Sequence, residues 1–281
     1  MIQIPLIKKK LMARIKKAKM ADLADRHVLY QQSVQCVEAE IDFVDEIYTE
    51  YRGKAAKLLR EDFCGTGNTA CEWVRRRKDN CAYGVDLDTE VLDWGQKNNV
   101  GKLRGKAKDR IELIEADVLK VKTDPMDIVL AMNFSYWLFM DRKTMKEYFK
   151  SVRNSLVEDG IFFLDAFGGY EAPKVLRERT DHEDFTYIWH QAEFNPINHK
   201  MSCYLHFKFP DGSRLNKAFT YTWRLWSLPE IRELLEEAGF SKSTIYMQGY
   251  DEETGEGSGE FEATEVGEPE AGWLCYIVAE K

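Results

Sequence analysis

From residue 55 onward, short apolar runs that end in turn residues alternate with helical segments, and few folds satisfy that rhythm. Residues 55–64 run as a strand into Gly65-Thr66-Gly67, where Asn68 or Thr69 is expected to cap a helix that continues through Arg77. Cys81–Asp86 predicts a second strand, followed by a helix capped at Asp88 or Thr89 that reaches Asn98. Ile111–Glu115, Asp127–Asn133 and Gly160–Phe167 predict three more strands, with a helix over Asp141–Leu156 before the last. Strands separated by helices need crossover connections, so the sheet must be mostly parallel and covered on both faces.

Two segments break the pattern. Residues 185–226 hold three extended stretches rich in Tyr, Trp and Phe, with Pro210-Asp211-Gly212-Ser213 as a turn between the last two. They predict an antiparallel insertion. Ser227 then caps a helix that Gly239 stops, and Ser243–Gly249 and Trp273–Ala279 predict two closing strands. Between those strands, residues 250–272 carry nine acidic residues, no basic ones and five glycines, and are expected to form a mobile loop. The resulting division is a basic, flexible tail (1–20), a helical cap (21–54), an α/β core (55–184), the insertion (185–226) and a closing helix and hairpin (227–281).

Charge and cysteine use narrow the function classes. The tail has seven cations and no acid; with these removed from the net −8, the rest of the chain carries −15. So acidic a body repels a phosphate backbone, which disfavours nucleic acid as a partner. The six cysteines form no C-x-x-C pair or zinc spacing, so no metal is expected and a cytoplasmic setting is. No run approaches the roughly eighteen apolar residues that would span a bilayer.

The chemistry-bearing residues fall at strand ends. Glu61-Asp62-Phe63-Cys64-Gly65-Thr66-Gly67 forms a glycine turn that lets backbone approach a ligand. Asp86 lies nineteen residues after Gly67, where a carboxylate can accept two ribose hydroxyls. Asp117-Val118 and Asn133-Phe134-Ser135-Tyr136 end the third and fourth strands. Open α/β sheets bind ligands along this edge.

With those motifs in that order, residues 55–281 resemble the class I S-adenosylmethionine-dependent methyltransferases. The runs LYQQSVQ (29–35) and LREDFCGTG (59–67) further resemble a bacterial methyltransferase-like group. The resemblance implies a Rossmann-like, seven-stranded α/β sheet with an N-terminal helical cap and an antiparallel β insertion. It implies S-adenosylmethionine as cofactor and S-adenosylhomocysteine as product. Glu61, Phe63, Cys64, Gly65 and Gly67 would shape the turn under the methionine end, Phe63 standing where the family usually has glycine. Asp86 and Leu87 would border the ribose, Asp117 would accept from the adenine amino group, Val118 would pack on the ring, and Asn133 would flank the methyl.

No residue is marked as a catalytic base. The acceptor pocket is expected beneath the insertion and the helical cap, with Tyr30, Gln35, Tyr136, Trp137, His190, Tyr204 and Tyr221 as its candidate lining. A small molecule methylated on N or O is the favoured acceptor. RNA or protein methylation, and a non-catalytic module that binds the cofactor, are the alternatives. A homodimer interface competes with the pocket as the use of the aromatic insertion.

Overall fold

The apolar runs of the sequence become the centre of one sheet. A computed structural model describes residues 18–250 and 257–281. Its larger sheet contains β1 (Leu58–Asp62), β2 (Cys81–Asp86), β3 (Ile111–Glu115), β4 (Met126–Ala131), β5 (Leu156–Gly168), β10 (Lys242–Tyr250), β11 (Gly257–Ala263) and β12 (Trp273–Glu280). The order across it is β11-β10-β12-β5-β4-β1-β2-β3. β1 to β5 pair in parallel, and β12, β10 and β11 pair antiparallel on one side of β5.

Successive residues of the central strands serve opposite faces. Phe162, Leu164 and Ala166 of β5 pack with helices α6 (Arg142–Ser155) and α7 (Leu228–Ala238). Ile161 and Phe163 pack on the other face with α3 (Val37–Arg52) and α4 (Asn68–Arg76). All five side chains are fully buried, and each such Phe contributes about 1.5–3 kcal/mol relative to an exposed one. A near-continuous apolar strand fits this two-sided burial. A polar pair is buried on β1: the Arg60 guanidinium meets both Asp62 carboxylate oxygens, at 2.7 and 3.0 Å, and Tyr148 donates to Asp62 at 3.0 Å.

The second sheet is antiparallel, in the order β6 (Leu176–Asp181), β7 (Thr186–Phe194), β8 (Lys200–Lys208), β9 (Arg214–Arg224). It lies over the strand ends. The N-terminal helices α1 (Met20–Leu23), α2 (Arg26–Ser33) and α3 join it to the core. Met20 and Ala21 donate backbone N–H groups to Asp211 and Ser213 in the β8–β9 turn. The short α5 (Thr89–Asn98) follows β2, with Asp88 capping it through Glu90 and Val91.

Several expectations need correction. The antiparallel layer has four strands and begins at Leu176, nine residues before the expected start at 185. β6 was missed because its exposed residues, Leu-Arg-Glu-Arg-Thr-Asp, show no apolar alternation. The larger sheet has eight strands rather than seven, because Gly257–Ala263, expected to be loop, pairs with β10. Backbone hydrogen bonds at a sheet edge need no apolar side chains, so composition concealed it. Of the acidic segment, residues 251–256 lie outside the described residues, as do residues 1–17 of the basic tail. The start of α4 also differs: neither Asn68 nor Thr69 caps it, Gly67 occupies the cap position at φ 64°, and Glu61 reaches across from β1 to accept the Ala70 N–H at 2.9 Å. Among the described residues, no helix is long and apolar enough to cross a membrane.

Candidate active site

At the C-terminal ends of β1, β2 and β4 the sheet opens into a cleft of about 410 Å³. Glu61, Phe63, Cys64, Gly65, Asp86 and Asn133 line it, six of the residues the sequence pointed to for cofactor. The turn after β1 is held from several sides. Phe63 sits at φ 57° and Gly65 at φ 52°, both left-handed. Phe63 therefore keeps the backbone path that glycine takes without strain, and its ring packs on Phe139 and Tyr148. Cys64 is buried, with its N–H on the Val85 carbonyl at 3.0 Å. Helix α5 presses against the turn at Gly95, where a Cβ would lie 2.4 Å from the Thr66 carbonyl oxygen. Helix α2 and the connection after it close over the turn: Gln31 donates to the Thr66 hydroxyl at 2.9 Å, and Asn68 donates to Gln35 at 3.2 Å.

Asp86 faces the cleft from the end of β2. One carboxylate oxygen accepts the Gly65 N–H at 2.8 Å and the other accepts the Asp88 N–H at 3.0 Å. Each oxygen has a further lone pair, so the group can still accept two hydroxyls. This pair of acceptors fits the two hydroxyls of a ribose.

A second cavity, of about 470 Å³, lies under the antiparallel sheet. Tyr30, Asn133, Tyr221 and Trp223 border both spaces. Asn133 on this wall and Phe134, which lines the second cavity alone, share an unusual backbone state, with φ 58° and 56°. Two consecutive left-handed non-glycine residues persist only where their surroundings hold them. The holder is Asp165, whose carboxylate accepts the Asn133 N–H at 2.7 Å and the Phe134 N–H at 2.8 Å. Sequence reasoning gave Asp165 no role; the available signal was a lone carboxylate inside the apolar run Ile161–Phe167.

Buried carboxylates collect around the site. Burial pushes Glu61 up to about 8, and Glu40 and Asp165 up to about 7. Thr69 links Glu40 to the start of α4 through a 3.4 Å hydrogen bond. Burial also raises the Tyr30 and Tyr221 hydroxyls, which stay protonated at neutral pH.

The remaining candidates lie elsewhere. Gly67 packs at the start of α4, where a Cβ would meet Leu113 at 2.7 Å, and Leu87 points to solvent. Asp117 does not line the cleft; it accepts the Leu119 N–H at 3.0 Å and pairs with Lys120 at 3.0 Å. Val118 is buried in the core. On the acceptor side, Tyr30, Gln35 and Tyr221 line one or both cavities. Tyr136 and Trp137 are corrected to core residues with no exposure, the Tyr136 hydroxyl donating to the Asp165 carbonyl at 2.7 Å. His190 and Tyr204 pair across β7 and β8 on the sheet face away from the cavity, because their neighbours Trp189 and Leu205 point into it.

Residues 62–164 match the model of a family described as methyltransferase domain. No curated protein matches the sequence. Among solved structures, an S-adenosylmethionine-dependent methyltransferase from Clostridium acetobutylicum is 18% identical, with a TM-score of 0.64 over 89% of this chain and 96% of that one. An amino pentose methyltransferase from Micromonospora echinaspora, with S-adenosylmethionine bound, is 14% identical, with a TM-score of 0.63 over 90% and 95%. A sugar N-methyltransferase from Streptoalloteichus is 17% identical, with a TM-score of 0.61 over 92% and 93%. These likenesses establish the fold, and the match over 62–164 shows that this part of the chain is similar to a methyltransferase domain.

Proposed function

We propose that the protein methylates a small molecule on nitrogen or oxygen, with the acceptor held in the cavity beneath the antiparallel sheet. The observation that carries this reading is the shared wall: Tyr30, Asn133, Tyr221 and Trp223 border both the cleft at the strand ends and the aromatic cavity. Two adjoining spaces with one boundary are what a displacement between two bound reactants requires. Two structural neighbours, an amino pentose methyltransferase and a sugar N-methyltransferase, agree with a small acceptor.

S-adenosylmethionine supplies a methyl group on a positively charged sulfur. In this reading Glu61 and the Phe63–Gly65 turn hold its methionine end, and Asp86 accepts from the ribose. Asp117 and Val118 are assigned to the adenine end. The register supports that assignment, since Asp86 pairs with Glu115 and the Ala116 N–H donates to the Asp86 carbonyl at 3.0 Å. Asn133 stands on the boundary that the two spaces share. The protein's part is to orient the acceptor and exclude water, and the protonated Tyr30 and Tyr221 hydroxyls suit orientation rather than proton abstraction.

Calorimetry with S-adenosylhomocysteine, NAD and ATP tests the first half. Micromolar binding of S-adenosylhomocysteine is expected, and tighter binding of NAD would overturn it. Label transfer from S-adenosylmethionine to a panel of small amines and alcohols tests the second half; transfer to RNA or protein alone would overturn it.

A further inference from the structure

The charge of the aromatic cavity restricts what it can receive. Tyr221 stacks on Trp223 with centroids 4.5 Å apart, Trp189 lies 6.2 Å from Trp223, and Phe134 lies 6.1 Å from it. These rings form a continuous wall. Two carboxylates, Glu171 and Glu178, complete the lining, and no Lys, Arg or His is among the described residues that line it. Glu178 is on the cavity side of β6, because it pairs with Trp189, which also lines the cavity. Glu171 meets Lys174 at 2.6 Å where both are partly exposed, a pairing that solvent and salt weaken.

Aromatic faces attract cations, and carboxylates reinforce the attraction. An anion in the same place would meet ring faces of the wrong sign and two like charges. The adjoining cleft repeats the bias, with Asp86 and Asp88 in its lining.

From this we infer that the acceptor is an aliphatic amine that arrives as an ammonium ion, and that carboxylate- or phosphate-bearing acceptors are rejected. The inference rests on the reading of the cavity as the acceptor site. For transfer, the ammonium gives its proton to water, and the freed lone pair on nitrogen forms the new N–CH3 bond as the S–CH3 bond breaks. S-adenosylhomocysteine leaves neutral at sulfur, and the methylated nitrogen carries the positive charge. The same wall therefore accommodates acceptor and product.

Three probes of one shape test this: cyclohexylamine, cyclohexanol and cyclohexanecarboxylate, each titrated into protein saturated with S-adenosylhomocysteine. Calorimetry gives the affinities, and a ligand-induced change in tryptophan fluorescence that is diminished in Trp223→Phe reports occupancy of this cavity. The amine is expected to bind at least tenfold more tightly than the alcohol, and the carboxylate more weakly than the alcohol. In the Glu171→Gln/Glu178→Gln double variant the amine's advantage should fall to about threefold or less, with the alcohol unaffected. An amine that binds no better than the alcohol, or a carboxylate that equals the amine, overturns the inference. Retention of the full tenfold preference by the double variant overturns the part given to the carboxylates. Failure of S-adenosylhomocysteine to bind would instead remove the underlying methyltransferase reading, so the two failures are distinct.

Discussion

The Asp165 carboxylate accepts the Asn133 N–H at 2.7 Å, tying the end of buried β5 to the wall between the two cavities. Its second oxygen holds Phe134 at 2.8 Å, and both residues it holds are left-handed. Asp165→Asn keeps the shape but turns one acceptor into a donor facing a donor. One hydrogen bond to a charged group is worth about 1.5–3 kcal/mol, so a loss of that order in unfolding free energy is expected. Denaturant unfolding measures it. A change below about 0.5 kcal/mol would show that the left-handed pair holds itself.

Stability should fall as pH rises through neutrality. Asp165 and Glu40 are pushed up to about 7 and Glu61 to about 8, all by burial, whereas unfolded carboxylates lose their protons near 4. Between those values the folded chain holds protons that the unfolded chain has released, so each rise in pH favours unfolding. The stabilisation is fully present below about pH 4 and is lost between about 4 and 8. Thermal midpoints at pH 5.5 and 8 test the sign, and Glu61→Gln should flatten the slope because the amide does not titrate. A variant slope equal to that of wild type would show Glu61 ionised throughout.

Asp86 and Asp88 are two residues apart and do different work. Asp88 caps α5 through the Glu90 and Val91 N–H groups, at 3.0 and 3.3 Å. Asp86 faces the cleft and braces Gly65. Asp88→Ala should cost about 1 kcal/mol of stability with little change in cofactor affinity. Asp86→Ala should weaken S-adenosylhomocysteine by at least tenfold, since losing even one charge-assisted bond of about 1.5 kcal/mol has that effect. Calorimetry on both variants decides; equal losses of affinity would misplace the ribose.

How much of this was open to sequence reasoning depended on whether a signal was local. Asp86 was legible because a glycine turn and a carboxylate at a fixed spacing are both chain features. The parallel core was legible because strands buried on both faces read as apolar runs. Asp165 was not, since its partners are backbone groups of β4's end and backbone leaves no trace in composition. The edge strands β6 and β11 hid for the same reason, being held by hydrogen bonds with little apolar burial. His190 and Tyr204 were expected at the pocket because they are polar aromatics in the right segment. Their face depends on register, and a shift of one residue exchanges the two faces of a strand.

Gly95 should tolerate no side chain. A Cβ there would lie 2.4 Å from the Thr66 carbonyl oxygen and 2.9 Å from its Cα, both backbone atoms of the glycine turn. Neither can turn aside as a side chain can. Gly95→Ala gains helix propensity worth about 1 kcal/mol, yet it must push α5 off the turn. A net loss of both stability and S-adenosylhomocysteine affinity is expected by thermal unfolding and calorimetry. A more stable variant with unchanged affinity would mean that the helix and turn separate freely.

The antiparallel sheet offers the sharpest comparison, because one strand order presents two chemically similar faces. Trp223 of β9 lines both cavities and stacks on Tyr221, whereas His190 and Tyr204, with His206, form a cluster on the opposite face. The cluster has its own structural explanation: His190 and His206 ring nitrogens lie 3.3 Å apart, and the Lys217 ammonium sits 3.9 Å over the Tyr204 ring. Trp223→Ala removes a wall of the acceptor space and should weaken cyclohexylamine binding by about five- to thirtyfold, the scale of one lost aromatic–cation contact of about 1–2 kcal/mol. Its own cost to folding, about 3–5 kcal/mol for a buried tryptophan, would obscure the result if it stood alone. Trp223→Phe, which keeps a ring in place, should therefore show an intermediate loss with the fold intact. His190→Ala and Tyr204→Phe should leave amine affinity within about twofold. If the outer-face variants weaken binding as much as Trp223→Phe does, the sheet meets the acceptor with its other face and the cavity beneath it has a different use.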